Sequence, residues 1–411
     1  MNISKRNAGN SRITVLVTGA RSPAALEWAR LFNAAGFKVL AADSVPTSLC
    51  AASNSVEAYY RLPQPNACRN SYLQALEELI VAESVDWVWP TCEEIFHIAA
   101  GLQRLSALAM IFTEPLEKLH ELHNKWRFIQ KLEQWGWTAP ETWLFDDPVS
   151  LQTFCSSFSS GELVIKPVYS RFASRVQFYD GSPPAFLPGE VSSHTPWLVQ
   201  RAIRGKAYCT YSIAVQGRLL AHCAYTAEFT AGQGASIAFT AVDMPELEQW
   251  AADFAARERF TGQLAFDFIL TADGVLFPLE CNPRATSGIH LFQPDDSLPE
   301  LLRKSLPPYQ REDPEPVKTR EKTAACPAPG RLVAIRPAML LYGCAQIRSF
   351  NSLSRWLAYM FRGRDAIFRW QDIRPAWRQP GMMRMFWQIA RNRRVSILEA
   401  TTMDIEWNGE P

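Results

Sequence analysis

The chain begins with a hydrophobic pattern typical of a parallel β-sheet flanked by helices. Residues 13–18 are a short apolar, β-branched run, residues 23–35 repeat apolar positions at helical spacing, and residues 37–43 are a second apolar run. A strand, a helix and a strand in this order predict a β-α-β unit. A helical segment at 71–84 and an apolar run at 85–90 continue the alternation. The fold class predicted for this region is therefore α/β, with a Rossmann-like parallel sheet.

The middle of the chain mixes helices with strands that follow one another directly. Apolar positions recur at helical spacing at 120–136 and 246–260, and β-prone runs occupy 162–169 and 197–203. Residues 264–284 contain two further β-prone runs separated by a turn signal. Strands joined as hairpins, with helices interspersed, predict an α+β domain.

The hairpin at 264–284 brings polar side chains together. Asp273 and Gly274 lie between its two apolar runs and predict a two-residue turn. That turn fixes a register in which Asp267 faces Glu280 across the strand pair. Because side chains alternate with a period of two, Asn282 and Arg284 are expected on the same face.

Two facing carboxylates indicate a cation between them, because like charges directly opposite one another destabilise a sheet. Asp267, Glu280 and the amide oxygen of Asn282 are hard oxygen ligands, which favours magnesium. Arg284 would extend the positive field toward an anion held by the metal. The alternative is a hairpin whose carboxylates point into solvent.

Polar residues at the ends of the N-terminal strands allow two other interpretations. Residues 19–26 contain one glycine where the dinucleotide-binding fingerprint requires three, so a simple strand-to-helix turn is favoured over a nicotinamide site. Glu93 and Glu94 follow the strand at 85–90, where open α/β sheets bind ligands, and Glu93 is a candidate substrate contact. A first-turn helix acid is the equal alternative.

Composition predicts a multidomain globular protein. The 411 residues are 47% hydrophobic, and the nine cysteines include no C-x-x-C pair, which indicates a reducing cytoplasm rather than a disulfide framework. No apolar run approaches the ~18 residues of a membrane span. The N-terminal basic residues and short apolar run imitate a signal peptide, but the run continues into a strand-turn-helix pattern, so export is not expected.

The C-terminal region differs from the rest in charge. A proline-rich stretch at 307–329 reads as a linker, and residues 331–411 hold 13 Arg against 6 acidic residues. This Arg-rich region is compatible with a substrate-closing subdomain, an oligomer interface or an interfacial membrane helix. Acidic residues Asp365 and Asp372 interrupt the basic pattern, so a packed appendage is preferred. It contains no nucleic-acid-binding motif.

The hairpin residues resemble a known family. Asp267, Glu280, Asn282, Pro283 and Arg284 match the strand acid and the E-x-N-P-R motif of ATP-grasp enzymes, which hold the magnesium ions of ATP. The resemblance implies ATP and Mg2+ as cofactors, with Mn2+ as a substitute. The overall pattern looks most like the proteins related to the carbamoyl-phosphate synthase large subunit.

Two lysines extend the resemblance. Lys125, in N-K-W-R-F, resembles the helix-start lysine that reaches the nucleotide phosphates, with Asn124 in place of the usual Asp. Lys166, in I-K-P, resembles the second phosphate-binding lysine of the family. As a charge inside an apolar strand, Lys166 needs an anion in any case, unless it reaches solvent.

The nucleotide-binding stretches of the family are matched less closely. The segment from Gln200 through Arg201 to Ile203 resembles the stretch whose backbone recognises adenine. The usual glycine-rich flap is absent after Lys166, so side chains such as Ser170 and Ser174 would contact phosphate instead. Ala207 stands where the family usually has the Glu that holds the ribose.

The resemblance implies a ligase that uses ATP to activate a carboxylate as an acylphosphate, which an amine or another nucleophile attacks. Arg284 and Lys166 would be catalytic. The small polar residues after the metal ligands, Thr286, Ser287 and His290, would line the acceptor side, although a lone His is more often structural. A nucleotide-binding regulatory protein without ligase chemistry and a biotin-carboxylase-like enzyme remain alternatives.

The expected organisation has four parts. A pre-ATP-grasp domain spans 12–110, an ATP-grasp domain of two subdomains spans 111–306, a linker spans 307–330, and a small C-terminal appendage spans 331–411. The expected partners are small-molecule carboxylate and amine substrates and a second copy in a homodimer, with no nucleic acid.

Overall fold

A computed structural model describes residues 12–169, 175–231, 235–306 and 324–409. The chain forms two compact units. The first takes its described residues from Met1–Thr113, Ser297–Arg320 and Ile367–Glu406, and the second from Glu114–Asp296, Glu321–Ala366 and Trp407–Pro411. Within the described ranges, no helix is both long enough and apolar enough to cross a bilayer.

The N-terminal part of the first unit is the predicted parallel sheet. Its strands are β1 (Thr14–Thr18), β2 (Lys38–Asp43), β3 (Ala58–Arg61), β4 (Trp87–Trp89) and β5 (Met110–Ile111). Its helices are α1 (Pro23–Ala34), α2 (Arg69–Glu83), α3 (Glu94–Ala100) and α4 (Leu102–Leu105). The strand order is β3-β2-β1-β4-β5, with all neighbours parallel. Trp89 stacks on Phe112 with ring centroids 4.0 Å apart, so aromatic packing fixes one face of the sheet.

Most elements of the second unit come from residues 114–296. Its helices are α5 (Leu116–His123), α6 (Lys125–Gln134), α7 (Pro148–Cys155) and α8 (Pro245–Glu258). Its strands are β6 (Thr142–Phe145), β7 (Leu163–Pro167), β8 (Gln177–Phe178), β9 (Trp197–Arg201), β10 (Lys206–Val215), β11 (Arg218–Ala231), β12 (Ala235–Val242), β13 (Gly262–Leu270) and β14 (Leu276–Asn282). A 3-10 helix, Ser287–Leu291, follows β14.

The remaining elements lie after residue 297. They are α9 (Leu298–Ser305), β15 (Leu332–Ala334), α10 (Arg336–Ala338), α11 (Phe350–Phe361), β16 (Arg364–Asp365), α12 (Arg374–Arg393) and α13 (Ile397–Ala400). The second unit therefore has two sheets, one of order β6-β9-β7-β8 and one of order β14-β13-β10-β11-β12-β15-β16. The predicted α/β domain followed by an α+β domain is confirmed.

The C-terminal region is divided differently from the expected subdomain at 331–411. Strand β15 pairs with β12, and β16 pairs with β15, so these strands extend the large sheet of the second unit. Helix α12 instead belongs to the first unit, where Asp372, just before it, pairs with Arg30 at 2.9 Å. Long-range strand pairing and buried ion pairs, rather than local composition, decide this division.

The helix predicted at 120–136 is two helices. Asn124, between α5 and α6, has φ −71° and ψ 108°, which interrupts the helical backbone. Its side chain accepts a hydrogen bond of 3.0 Å from the Arg127 amide and caps α6. Lys125 is consequently the first residue of α6, where the helix dipole favours bound anions.

Candidate active site

The β13–β14 hairpin places Asp267 opposite Glu280, as predicted, but by a different route. The turn is a three-residue loop, closed by a 3.0 Å hydrogen bond from the Thr271 amide to the Val275 carbonyl, and Gly274 adopts a left-handed φ of 84°. This loop shifts the register by one residue. A bulge between Asp267 and Phe268 shifts it back, so the predicted turn is wrong and the predicted pairing is confirmed.

Asp267 and Glu280 belong to a row of side chains that crosses four strands. Cys209 on β10 pairs with Asp267 on one side and with Tyr225 of β11 on the other. Directly paired residues share a face of the sheet, so all four side chains point the same way. Burial and then the charge of Asp267 raise the pKa of the Cys209 thiol. Sequence patterns did not point to this row, because the pairing of Cys209 with Asp267 joins residues 58 positions apart.

Both predicted lysines reach this face. Lys125 Nζ lies 3.1 Å from Glu280 Oε2, and Lys166 Nζ donates to Gln200 Oε1 at 2.9 Å. The Gln200 side chain is itself fixed, because its Nε2 donates to Thr142 Oγ1 at 2.9 Å. Lys125, Lys166 and Gln200 are all buried. The role of the Gln200 side chain was not predicted, since a glutamine in a strand carries no pattern that distinguishes it.

Burial and neighbouring charges shift the pKa values of Lys166, Asp267 and Glu280. Burial lowers the pKa of Lys166 to about 8, with the charge of Glu280 opposing the shift and that of Lys125 adding to it. Burial and then the charge of Glu280 raise the pKa of Asp267. Burial also acts to raise the pKa of Glu280, but Lys125 and Lys166 overcome it and hold that pKa below its ordinary value. Of the two facing acids, Glu280 therefore keeps its negative charge more readily than Asp267.

Asn282 and Arg284 continue from Glu280, as predicted. Asn282 Nδ2 lies 3.5 Å from Glu280 Oε1, and Arg284 donates through one terminal nitrogen to Asn282 Oδ1 at 3.2 Å. The other terminal nitrogen of Arg284 donates to the Ala285 carbonyl at 3.3 Å. The guanidinium therefore lies next to the amide and carboxyl groups, beyond the end of β14.

The donor set fits magnesium bound together with a nucleotide. Asp267, Glu280 and Asn282 offer hard oxygens, and Mg2+ is usually held by one or two carboxylates plus substrate phosphates. Across the described ranges, no group of three or more His, Cys, Asp or Glu side chains is arranged to hold a metal by itself. The raised pKa of Asp267 marks a site where a cation would relieve charge repulsion.

The residues expected on the acceptor side lie just after Arg284. The Thr286 hydroxyl is buried and has no hydrogen-bond partner among the described residues, and Ser287 begins the 3-10 helix. His290 is buried, and its carbonyl accepts a hydrogen bond from Arg364. The 3-10 helix packs closely on the sheet because Gly288 has no side chain: a Cβ there would lie 2.3 Å from the Tyr211 Cβ.

Glu93 lies in the first unit, buried at the start of α3. Its neighbour Glu94 has a structural role, because it accepts hydrogen bonds from the Thr18 hydroxyl at 2.7 Å and the Thr91 amide at 3.0 Å. Glu94 therefore joins the carboxyl ends of β1 and β4. The cluster in the second unit does not include Glu93.

The segment after β9 borders a cleft of about 530 Å3 within the second unit. The cleft is lined by Gly161, Glu162, Arg201, Ala202, Ile203, Arg204, Thr271, Asp273, Val275 and Phe277. The Arg201 and Ala202 amides donate to the Glu141 and Glu162 carbonyls, both at 2.8 Å. Because these two amides already donate to other backbone carbonyls, an adenine base bound in the cleft would have to form its hydrogen bonds with other groups of the segment. Ser170 and Ser174 lie outside the described residues.

Tyr169 joins the two lysine-bearing elements. It lies two residues after β7, and its hydroxyl accepts a hydrogen bond of 2.9 Å from Asn124 Nδ2 and also contacts His120 Nε2. The N-cap of α6 is thereby tied to the end of the strand that carries Lys166. Asn124 thus both caps α6 and contacts Tyr169.

The two sheets, the hairpin and the converging lysines define the ATP-grasp fold, and solved structures of ATP-grasp ligases share it. An L-amino acid ligase from Bacillus licheniformis has a TM-score of 0.52 at 17% identity, covering 68% of this chain and 69% of that one. A phosphoribosylamine–glycine ligase from Thermotoga maritima has a TM-score of 0.55 at 14% identity, covering 78% of each chain. A biotin carboxylase from Campylobacter jejuni has a TM-score of 0.53 at 11% identity, covering 74% of this chain and 72% of that one. No family model matches the sequence, and no curated protein matches it.

Proposed function

We propose that the protein is an ATP- and Mg2+-dependent ligase that activates a carboxylate as an acylphosphate for attack by an amine. The observation that carries this proposal is the convergence of Lys125 and Lys166 on the facing carboxyls of Asp267 and Glu280. Burying cations and carboxylates together costs free energy, and a bound ligand that carries both positive and negative charge would offset that cost. Metal-bound nucleotide phosphates are such a ligand.

Each residue has a distinct part in the proposed site. Asp267, Glu280 and Asn282 hold Mg2+, and Mn2+ is expected to substitute because it prefers similar ligands. Lys125 and Lys166 bind the nucleotide phosphates, with Gln200 orienting Lys166. The bound metal neutralises charge on the phosphates, which is the main requirement of phosphoryl transfer.

Two displacement steps complete the proposed reaction. A carboxylate oxygen of the substrate attacks the γ-phosphorus, and the bond to the leaving oxygen of ADP breaks. The amine nitrogen then attacks the acyl carbon, loses its proton and releases phosphate. Arg284, next to Asn282, stabilises the negative charge of the acylphosphate. Lys166 acts with it on the transferred phosphoryl group.

Further residues are proposed for the substrate site and for the adenine site. Thr286, Ser287 and His290 follow Arg284 directly and are proposed to form the acceptor side, with Glu93 as a further substrate contact. Arg201 and Ile203, which border the cleft, are proposed to bind the adenosine end of ATP together with Gln200. Ser170 and Ser174 are proposed to contact phosphate. A cytoplasmic enzyme is proposed because none of the cysteines in the described ranges forms a disulfide.

Acceptor-dependent ADP release tests the proposal. The purified protein is incubated with Mg-ATP and a panel of amino acids and other carboxylic acids with amines, and ADP is measured. Turnover that requires both a carboxylate and an amine supports the ligase. Tight ATP binding without turnover would indicate a regulatory nucleotide-binding protein, which Ala207 at the expected ribose position favours. Bicarbonate-dependent ATP hydrolysis would indicate a biotin-carboxylase-like enzyme.

A further inference from the structure

The exposed side of helix α12 is strongly basic. This 20-residue helix in the first unit contains five arginines and no Asp or Glu. Its buried face is apolar and consists of Pro375, Met382, Phe386 and Ala390. The arginines at 374, 378, 384, 391 and 393 are all exposed. One face therefore packs on the protein, and the other presents positive charge to solvent.

Tryptophans are interleaved with these arginines. Trp377 is 76% exposed and Trp387 is 48% exposed. Trp377, Arg384 and Arg391 are seven residues apart, so they lie on one side of the helix, opposite the buried residues. The Arg391 guanidinium lies 5.6 Å from the centre of the Trp387 ring, which holds charge and aromatic surface side by side.

The helix keeps its shape in spite of an internal proline. Pro380 lacks the N–H that would bond the Ala376 carbonyl. Gln379 Nε2 lies 3.4 Å from that carbonyl and replaces the missing donor. The mixed aromatic and basic face is therefore presented along one continuous helix.

The chemistry of this face selects its partner. A second copy docked face to face would bring two sets of arginines together without any acid on the helix, which is repulsive. The partner must be anionic, and it must also accept large apolar side chains. The surface of an anionic phospholipid bilayer meets both conditions, because arginine binds phosphate and tryptophan favours the headgroup region. We propose that α12 docks the protein on anionic phospholipid membranes.

Helix α11, in the second unit, supplies an independent observation of the same kind. Phe350, Leu353, Leu357 and Phe361 repeat at helical spacing and are all exposed, with Phe350 87% and Phe361 78% exposed. The helix contains no acidic residue, and its one arginine, Arg355, pairs with Glu228. An exposed apolar stripe marks an interaction surface, and a bilayer interface would cover this one.

Vesicle co-sedimentation of the full-length protein tests the proposal. The probes are vesicles of pure phosphatidylcholine and vesicles that also contain phosphatidylglycerol. The wild-type protein is expected to bind only the anionic vesicles, and added salt is expected to weaken binding. Replacing Arg384 and Arg391 with Gln removes two charges near the surface and is expected to weaken binding about 30-fold. Trp377→Ala is expected to weaken the binding that persists at high salt.

A matched double variant controls for general surface effects. Arg104→Gln combined with Val81→Ala removes one exposed arginine and one exposed apolar side chain from elsewhere in the first unit. It should bind vesicles like the wild type, and circular dichroism should show that all variants are folded. The proposal is overturned by absence of binding to anionic vesicles, by equal binding to neutral ones, or by equal loss in the control. Preference for a DNA duplex over the vesicles would also overturn it.

Discussion

Lys125 Nζ and Glu280 Oε2 lie 3.1 Å apart, although the two residues are 155 positions apart in sequence. This ion pair joins the first residue of α6 to the hairpin that carries Asp267. Glu280 thereby keeps its negative charge while Asp267, directly opposite, is driven toward protonation. The two facing acids therefore differ in charge state, and the proposed active site uses this difference.

Removing the Lys125 ammonium should destabilise the protein in the absence of ligand. Lys125→Ala leaves the Glu280 carboxylate beside Asp267 without its closest cation. We expect a loss of about 3 kcal/mol in the free energy of unfolding, at the low end for a buried pair because the Glu280 side chain is 27% exposed. Urea denaturation measures this loss.

The exposed pair Arg12–Glu57 serves as the control for that measurement. Both side chains are more than 40% exposed, so Arg12→Ala should cost less than about 1 kcal/mol. Similar losses in the two variants would contradict the special position of Lys125.

ATP binding should weaken at alkaline pH. Burial lowers the pKa of Lys166 to about 8, while Glu280 and Asp267 oppose the shift and Lys125 adds to it. Below pH 8 the ammonium is charged and binds phosphate. As the pH rises above 8 the charge is lost, and affinity should fall by up to about tenfold per pH unit.

Calorimetric titration of ATP between pH 7 and pH 10 checks this dependence. Lys166→Arg provides the control, because a guanidinium stays charged throughout and should flatten the profile. A wild-type affinity that is constant over this range would exclude Lys166 as a phosphate ligand.

Gly205→Ala should destabilise the second unit. A Cβ at Gly205 would lie 2.2 Å from the Leu270 carbonyl oxygen, a backbone atom that cannot rotate away. We expect a loss of about 1 to 3 kcal/mol, measured by thermal or urea unfolding. At Gly381, in α12, a Cβ meets nothing within 4 Å, so Gly381→Ala should be neutral or stabilising by up to about 1 kcal/mol. Equal effects at the two sites would refute this explanation.

The sequence predicted the parts of the site that depend on local periodicity. The side-chain period of two and the Asp273-Gly274 turn placed Asp267 opposite Glu280, whereas the expected roles of Lys125 and Lys166 came from the family resemblance. The bulge after Asp267 was not predictable, because an extra residue in one strand leaves no compositional sign. Its one-residue shift cancelled the error in the predicted turn.

Features formed by distant segments could not be predicted. The pairing of β10 with β13, which brings Cys209 beside Asp267, depends on the whole sheet. The orientation of Lys166 by Gln200 requires two strands to be adjacent, and a glutamine in a strand is uninformative by itself. The division of the C-terminal region follows from the pairing of β15 with β12, and the sequence of the proline-rich stretch before β15 does not indicate that pairing.

Acceptor-dependent ADP release by the Glu280→Gln variant measures whether the proposed metal ligand Glu280 is needed for the reaction. The substitution keeps the size of the side chain but removes the charge that faces Asp267 and pairs with Lys125. Glu246→Gln, at an exposed position of α8, is the matched control. We expect Glu280→Gln to fold normally by circular dichroism yet to lose at least about a hundredfold in ADP release, while Glu246→Gln keeps full activity. Full ADP release by a folded Glu280→Gln variant would rule out the proposed role of Glu280.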